Sequence, residues 1–299
     1  MNIIQSLSVK FDHLQQSHPV LGFPLAVIKK VGEDDAGFQA ALITYYGFLS
    51  LFPLLLVATS VISILSLGNA ELESKVMQSV SSYFPVVGDQ LARNIHASTK
   101  SGIALVLGLL LAFYGARGGA DAFRTALNHV WHVPKKRRTR FPKTLIKNLV
   151  MTLVGGSGLL VAAILSAFAS GLGRSVIFKA LSALLSFLVL VPTFYFLYWA
   201  SLPRKYIEAE HLLRSAAISA VGIVATQAMG GYLVANQLKT LSPLYGTFAI
   251  VLGLLFWIYV QALIVLYAVE VSIIIKDKLW PRSLTGKITT EADRSVTLD

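Results

Sequence analysis

Cysteine is absent from the 299 residues. Disulfides, thiolate metal sites and cysteine nucleophiles are therefore excluded. Charge is scarce as well: Asp, Glu, Lys and Arg make up 14% of the chain, against roughly 25% in a soluble domain. Acidic residues are the rarer sign, 15 against 26 basic ones, for a net charge of +11. Between Ala36 and Ala70 none of the four charged types occurs. A water-soluble fold cannot hide such a run. A bilayer can, because its core is ~30 Å thick and a helix crosses it with about 20 apolar residues.

What is present is apolar, at 55% of the chain. Six segments are long and continuous: Ala36–Leu67, Gly102–Ala116, Asn148–Leu172, Val176–Leu202, Ser215–Ala235 and Leu244–Ile275. Continuous runs indicate helices, since barrel strands alternate in pieces of ~10 residues. The expected fold is all-α and polytopic, with six transmembrane helices. The 102–116 run is short by itself and continues past Gly115. Residues 1–35 form a cytoplasmic N-terminal segment, 36–276 the membrane domain and 277–299 a mobile polar tail. Ile3, Leu7, Phe11 and Leu14 fall at helical spacing, as in a helix lying on a membrane surface. In loop 68–100, apolar residues recur every three or four positions, which predicts short outer helices.

The positive charges are distributed unevenly. The two termini and the loops 117–147 and 203–214 hold 20 of the Lys and Arg; the other three loops hold 6. The positive-inside rule then places both termini in the cytoplasm.

One stretch looks like chemistry: GARGGADAFRTALNHVWHVPKKRR, residues 115–138. A phosphate loop needs a Gly-Lys-Ser/Thr ending between strand and helix, and neither is present. His129 and His132 share a helix face, but Asp121 is the only nearby acid and metal hydrolases gather more ligands. Neither a metal nor any other cofactor is expected. The basic residues Lys135, Lys136, Arg137, Arg138 and Arg140 follow directly on a span. Such clusters contact anionic lipid heads at about 1 kcal/mol per charge, which accounts for them without nucleic acid. Ahead of them, Ala116, Ala120, Phe123, Leu127, Val130 and Trp131 share one helical face, and Arg117, Asp121, Arg124 and Asn128 the other. An amphipathic cytoplasmic helix follows, its polar face packed under the bundle or lining a vestibule.

In the first span, Tyr45, Tyr46 and Ser50 precede Pro53. Proline removes a backbone hydrogen bond, so a kink is expected there. Two readings fit this group: a hinge or cavity lining, or ordinary packing. The VGGSG opening of the third span fits close helix approach. The last span carries Gln261 and Glu270. Ionisable residues within spans are costly and mark functional candidates. Glu270 is expected to pair with Arg117, or to relay protons.

The segments YYGFLSLFPLLL, YGARGGADAFRTALNHVWHV with its basic run, and LYGTFAIVLGLLFWIYVQALIVLYAVEV, in that order, resemble the YihY/virulence factor BrkB family of bacterial inner-membrane proteins. The resemblance spans roughly residues 30–276. It implies a six-span helical protein of the inner membrane. Members are associated with serum resistance and envelope phenotypes, and transport has been suggested for them. Some carried the name ribonuclease BN, regarded as a misassignment; clustered His and Asp ligands for a metal nuclease are missing here. The positions carried over are Tyr45, Tyr46, Ser50, Pro53, Arg117, Asn128 and Glu270. The function expected is a transporter or exporter of a lipid or envelope-related substrate, with a non-transporting envelope scaffold as the alternative and no enzymatic activity.

Overall fold

The computed structural model describes residues 19–65, 102–171, 176–206, 208–245, 248–283, 290 and 292–293, with backbone only at 19–21, 51–65, 102–109, 111–113, 116, 166–171, 230–245 and 248–250. The expected surface helix within residues 1–18 and the outer helices of 68–100 lie outside these residues.

Seven α-helices run through the described chain: α1 (Pro19–Glu33), α2 (Ala36–Leu65), α3 (Gly102–Val130), α4 (Lys143–Gly171), α5 (Val176–Ser201), α6 (Ala209–Tyr245) and α7 (Phe248–Asp277). Single 3₁₀ turns at Lys135–Arg137 and Arg204–Tyr206 join α3 to α4 and α5 to α6. No strand occurs among the described residues. The six apolar segments of the sequence correspond to α2 through α7. The 102–116 run and the amphipathic segment behind it form one continuous helix.

Each of these six helices packs on the next in chain order, and α7 returns to α2, which closes a ring. Helix α1 lies against α2 and α7. The starts of α2, α4 and α6 meet the ends of α3, α5 and α7 at one end of the ring. This is the charged end, and α1 and the described tail residues 278–283 lie there. Four stretches among the described residues are long and apolar enough to cross a membrane: Lys143–Leu165, Val176–Ser201, Ala209–Met229 and Val251–Asp277. Their outward faces stay apolar, with Leu153, Ile177 and Val221 each more than half exposed.

The interior is filled by Leu127 and Val130 of α3, Leu190 and Tyr198 of α5, Leu212 of α6 and Leu266 of α7, all with at most 1% exposure. The Tyr198 hydroxyl and Ser219 Oγ share a hydrogen bond at 2.5 Å, the partner a buried phenol requires. Glycines set the closest approaches. A Cβ at Gly158, within VGGSG, would stand 2.3 Å from Thr193 Oγ1, and one at Gly222 2.4 Å from Ile264 Cγ2. The packing reading of VGGSG therefore holds. Pro192 sits inside α5 without ending it. Pro53 lies within α2, which continues through it to Leu65 without ending.

Three helices stop or turn on a residue with a left-handed backbone: Asp35 (φ 49°), His132 (φ 47°) and Lys278 (φ 51°). After His132 the Val133 N–H bonds back to Asn128 O at 2.9 Å, and after Lys278 the Leu279 N–H bonds to Ile274 O at 3.1 Å. These long back-bonds satisfy carbonyls at the helix ends.

The described part of the C-terminal tail is docked, where a mobile segment was expected. Arg282 is 3% exposed and forks onto the Glu33 carboxylate at 2.6 and 3.1 Å. Lys29 donates to Ser283 O at 2.5 Å and to Asp293 Oδ1 at 2.8 Å. Trp280 meets Phe23 edge-on at 5.5 Å. The tail is polar by composition, yet its charges complement those of α1.

Burial pushes the Asp293 carboxyl up, but hydrogen bonds from Lys29, the Ser283 N–H and Thr290 outweigh it and hold the group well below the usual carboxylate range. A carboxylate whose pKa is depressed on docking contributes stability above its free pKa and loses it as pH falls through the docked one. Tail docking is thus expected to persist from neutral pH down to about pH 4, near the free value, and to weaken only below that. Protection of the tail from proteolysis, measured across pH with an acid-tolerant protease, checks this; release already at pH 5–6 would contradict it.

Candidate functional site

The charged end carries two buried polar clusters. The first joins α1, α2 and α7. The turn Asp34–Asp35 between α1 and α2 brings Lys30 and Asp34 together one helical turn apart, and they form a tight ion pair. Lys30 Nζ also stands 3.0 Å from Glu270 Oε2. That contact is an ion pair by distance; Lys30 donates its hydrogen bond to Asp34, and neither oxygen of Glu270 has a hydrogen-bond partner. Glu270 is fully buried, and Lys30 and Asp34 are each 3% exposed. His132, held out by its left-handed backbone, places Nε2 3.5 Å from Asp34 Oδ1. Burial pulls the Lys30 ammonium down, but Glu270 and Asp34 more than restore it, so its pKa lies above the ordinary value. Lys30 thus lies between the carboxyl groups of Asp34 and Glu270.

The expected Arg117–Glu270 pair does not form; Lys30 takes that place, and Arg117 points out of the bundle. The reason is depth. Because α3 continues to Val130, Arg117 lies about 20 Å along the axis from that end, while Glu270 lies about 10 Å from the end of α7.

The second cluster joins α3, α4 and the end of α5. Arg124 Nη2 donates to Asp121 Oδ1 at 2.6 Å, and Asn148 Nδ2 donates to the same oxygen at 3.1 Å. Burial raises Asp121, but the hydrogen bonds from Arg124 and Asn148 and the nearby Arg124 and Arg117 charges hold it below the ordinary carboxylate value. Asn128 is 1% exposed and donates to Arg124 O at 2.6 Å and to Ser201 O at 3.0 Å. The Arg124 and Asn128 part of the polar face of α3 is thus turned inward. Arg124 is 7% exposed, so it packs within the bundle instead of lying on a solvated surface. Of the five residues in the expected polar cluster, Asp121, Arg124 and Asn128 come together, Arg117 faces them only through its charge, and Glu270 belongs to the first cluster.

The four positions around the first-span tyrosines also divide. Tyr46 and Ser50 face α3. A Cβ at Gly118 would stand 2.2 Å from the Tyr46 ring, and one at Gly115 2.8 Å from the Ser50 backbone. Ser50 Oγ donates to Gly47 O at 2.9 Å. Tyr45 points the other way and is 59% exposed. With Ala41, Thr44, Leu255, Phe256 and Tyr259 it lines a shallow open groove between α2 and α7. Farther along α7, both amide atoms of Gln261 are buried without a partner.

The basic run divides too. Lys135, Lys136, Arg137 and Arg140 are exposed, whereas Arg138 turns back to donate to Val133 O at 3.0 Å and Asn128 O at 3.4 Å. Among the described residues no group of three or more His, Asp or Glu could hold a metal ion.

Sequence reasoning missed Lys30, Asp34 and Asn148. The signal for the first two was the knot KKVGEDD (residues 29–35) directly before the charge-free run, with Lys30 and Asp34 at contact spacing.

An all-helical bundle with several membrane-length apolar helices and its ionic groups gathered at one end is an integral membrane protein. The chain belongs to the virulence factor BrkB family, whose model matches residues 27–289 and so takes in Lys30, Glu270 and Arg282. It is 27% identical over 270 residues to a UPF0761 membrane protein of Vibrio vulnificus (strain YJ016), covering 86% of this chain and 83% of that one. It is 26% identical over 275 residues to a UPF0761 membrane protein of Tolumonas auensis, covering 87% of each. A Bacillus subtilis (strain 168) protein named "Putative ribonuclease-like protein YfkH" is 23% identical over 255 residues, covering 80% of this chain and 90% of that one. No solved structure matches.

Proposed function

We propose that the protein is a six-span protein of the bacterial inner membrane, with both termini in the cytoplasm, that moves a lipid or another amphiphilic, envelope-related substrate. The observation that carries this reading is the α2–α7 groove. It is apolar, open to the bundle's outer face, and edged by the phenols of Tyr45 and Tyr259, a lining suited to an acyl chain with a polar end. The same two helices lead to the ionic cluster of Asp34 and Glu270, where charges within or beside spans are by default functional candidates. Lys135, Lys136, Arg137 and Arg140 would hold the charged end against anionic headgroups. The charge distribution supports the topology, and a reporter fused after Lys239 is expected outside.

Transport is tested in proteoliposomes with a fluorescent lipid in one leaflet. Wild-type protein is expected to equilibrate it faster than protein-free vesicles. Tyr45→Ala with Tyr259→Ala is expected to slow this several-fold at unchanged melting temperature. Absence of lipid movement by well-folded wild-type protein sinks the lipid-transport reading. The close glycine contacts at Gly115, Gly118, Gly158 and Gly222 favour a second reading, a rigid non-transporting scaffold. That reading predicts a stably co-purifying partner and no flux.

A further inference from the structure

The second cluster holds more positive charge than it can balance. Arg124 on α3, Arg138 in the α3–α4 connection, Lys147 on α4 and Arg204 in the α5–α6 turn converge on one region. Arg138 and Lys147 both lie within electrostatic reach of Arg124, and Lys147 also within reach of Arg204. Arg117 adds its charge on the far side of Asp121. Among the described residues the ion pairs at this cluster involve one carboxylate, Asp121, which already accepts from Arg124 and Asn148. The remaining contacts are to neutral groups: Arg138 to backbone carbonyls and Lys147 to Thr139 Oγ1 at 3.4 Å. Arg124 is nine-tenths buried, yet its Nε proton has no acceptor. A buried donor without a partner and several like charges in one place are both costly.

We propose that this cluster is a binding site for one phosphate-type anion, held by Arg124, Arg138, Lys147 and Arg204. The residue types suit the ligand. Guanidinium groups present paired donors that match phosphate oxygens, and Lys adds a mobile point charge. The four come from four separate elements, so an oxyanion there would tie α3, α4 and the α5–α6 turn together. The exposed Lys135–Arg137 turn differs from this site: it offers charge to any anionic surface, without a buried donor. The site stands whether or not the protein transports lipid. Its phosphate belongs either to a phospholipid headgroup or to a soluble phosphorylated compound.

The full-length protein, delipidated in a neutral detergent, separates these sources. Native mass spectrometry with phosphatidylglycerol, and thermal-shift titration with inorganic phosphate, are the two arms, with phosphatidylcholine and chloride as controls. Retention of one phosphatidylglycerol per chain identifies a headgroup site. Saturable stabilisation by inorganic phosphate alone identifies a soluble ligand. In either arm Arg204→Gln and Lys147→Gln are each expected to weaken binding roughly tenfold, the scale of one charge-assisted hydrogen bond. Lys135→Ala with Lys136→Ala is expected to leave it unchanged. Arg124→Gln should abolish it; the Arg204 and Lys147 variants, farther from the core, keep the test decisive if Arg124→Gln does not fold. Failure of both probes to bind at one per chain, or unaltered binding by the Arg204 and Lys147 variants, overturns the proposal.

Discussion

Replacing Lys30 by methionine is expected to destabilise the protein by about 3–5 kcal/mol, the cost of removing one partner of a buried ion pair. The substitution keeps an unbranched side chain one atom shorter and removes the charge together with the hydrogen bond to Asp34. It leaves Asp34 and Glu270, both buried, facing each other without a cation. Glu270→Gln acts in the opposite sense. It leaves Lys30 paired with Asp34 one to one and removes the carboxyl group neither of whose oxygens has a hydrogen-bond partner. Its expected cost is about 1 kcal/mol or less, the scale of one ordinary hydrogen bond. Chemical denaturation of the two variants in the same detergent, followed by tryptophan fluorescence, measures the difference. If Glu270→Gln is the more damaging, Lys30 is not the group that holds this cluster together. The same pair of variants bears on transport. A Glu270→Gln protein that folds normally but moves no lipid would assign the carboxylate a functional role beyond packing.

A second large effect is expected where α2 and α3 touch. Gly118→Ala would drive a methyl group into the Tyr46 ring, and Gly115→Ala would drive one into the Ser50 backbone. Overpacking of this kind costs about 1–3 kcal/mol. The two should differ in how they are rescued. A ring can be removed, so Tyr46→Ala is expected to recover much of the loss in Gly118→Ala. A backbone cannot, so Gly115→Ala can relax only by moving one helix away from the other, and Tyr46→Ala should not help it. A double-mutant cycle on melting temperature reads the coupling. An additive cycle for Gly118 and Tyr46 would mean that the helices separate instead of interlocking.

The architecture was legible in the sequence to the extent that it followed from apolar length. All six apolar runs became helices, because a helix satisfies its own backbone polar groups whatever surrounds it. Sidedness within each helix was harder to read. Periodicity separated Arg117, Asp121, Arg124 and Asn128 from the apolar face of α3 correctly, but a polar stripe does not say what it meets. Here it meets Asn148 and the Ser201 carbonyl, partners 27 and 73 positions away. Glu270 was identifiable as a group needing a counter-ion, and the depth of its partner was misjudged because α3 runs farther than its apolar part. The tyrosine motif pointed at a real junction, yet neighbouring side chains on a helix point about 100° apart, which sends Tyr45 to the groove and Tyr46 to α3. The docking of the tail rests on pairs more than 240 positions apart, between Glu33 and Arg282 or Lys29 and Ser283. Composition made the tail look solvated because it has no means of registering such complementarity.

The left-handed turns at Asp35, His132 and Lys278 have a consequence for how this end of the protein could change over evolution. At a helix end of this kind glycine is the easiest residue, because a side chain in the left-handed conformation meets its own backbone. The chain uses an acid, an imidazole and an amine at these three corners. At His132 the ring is thereby delivered to Asp34, which a glycine could not do. Turn stability has been exchanged there for the placement of a titratable group. Lys278 is exposed and shows no comparable contact among the described residues, so it is the corner where glycine could enter with least disturbance.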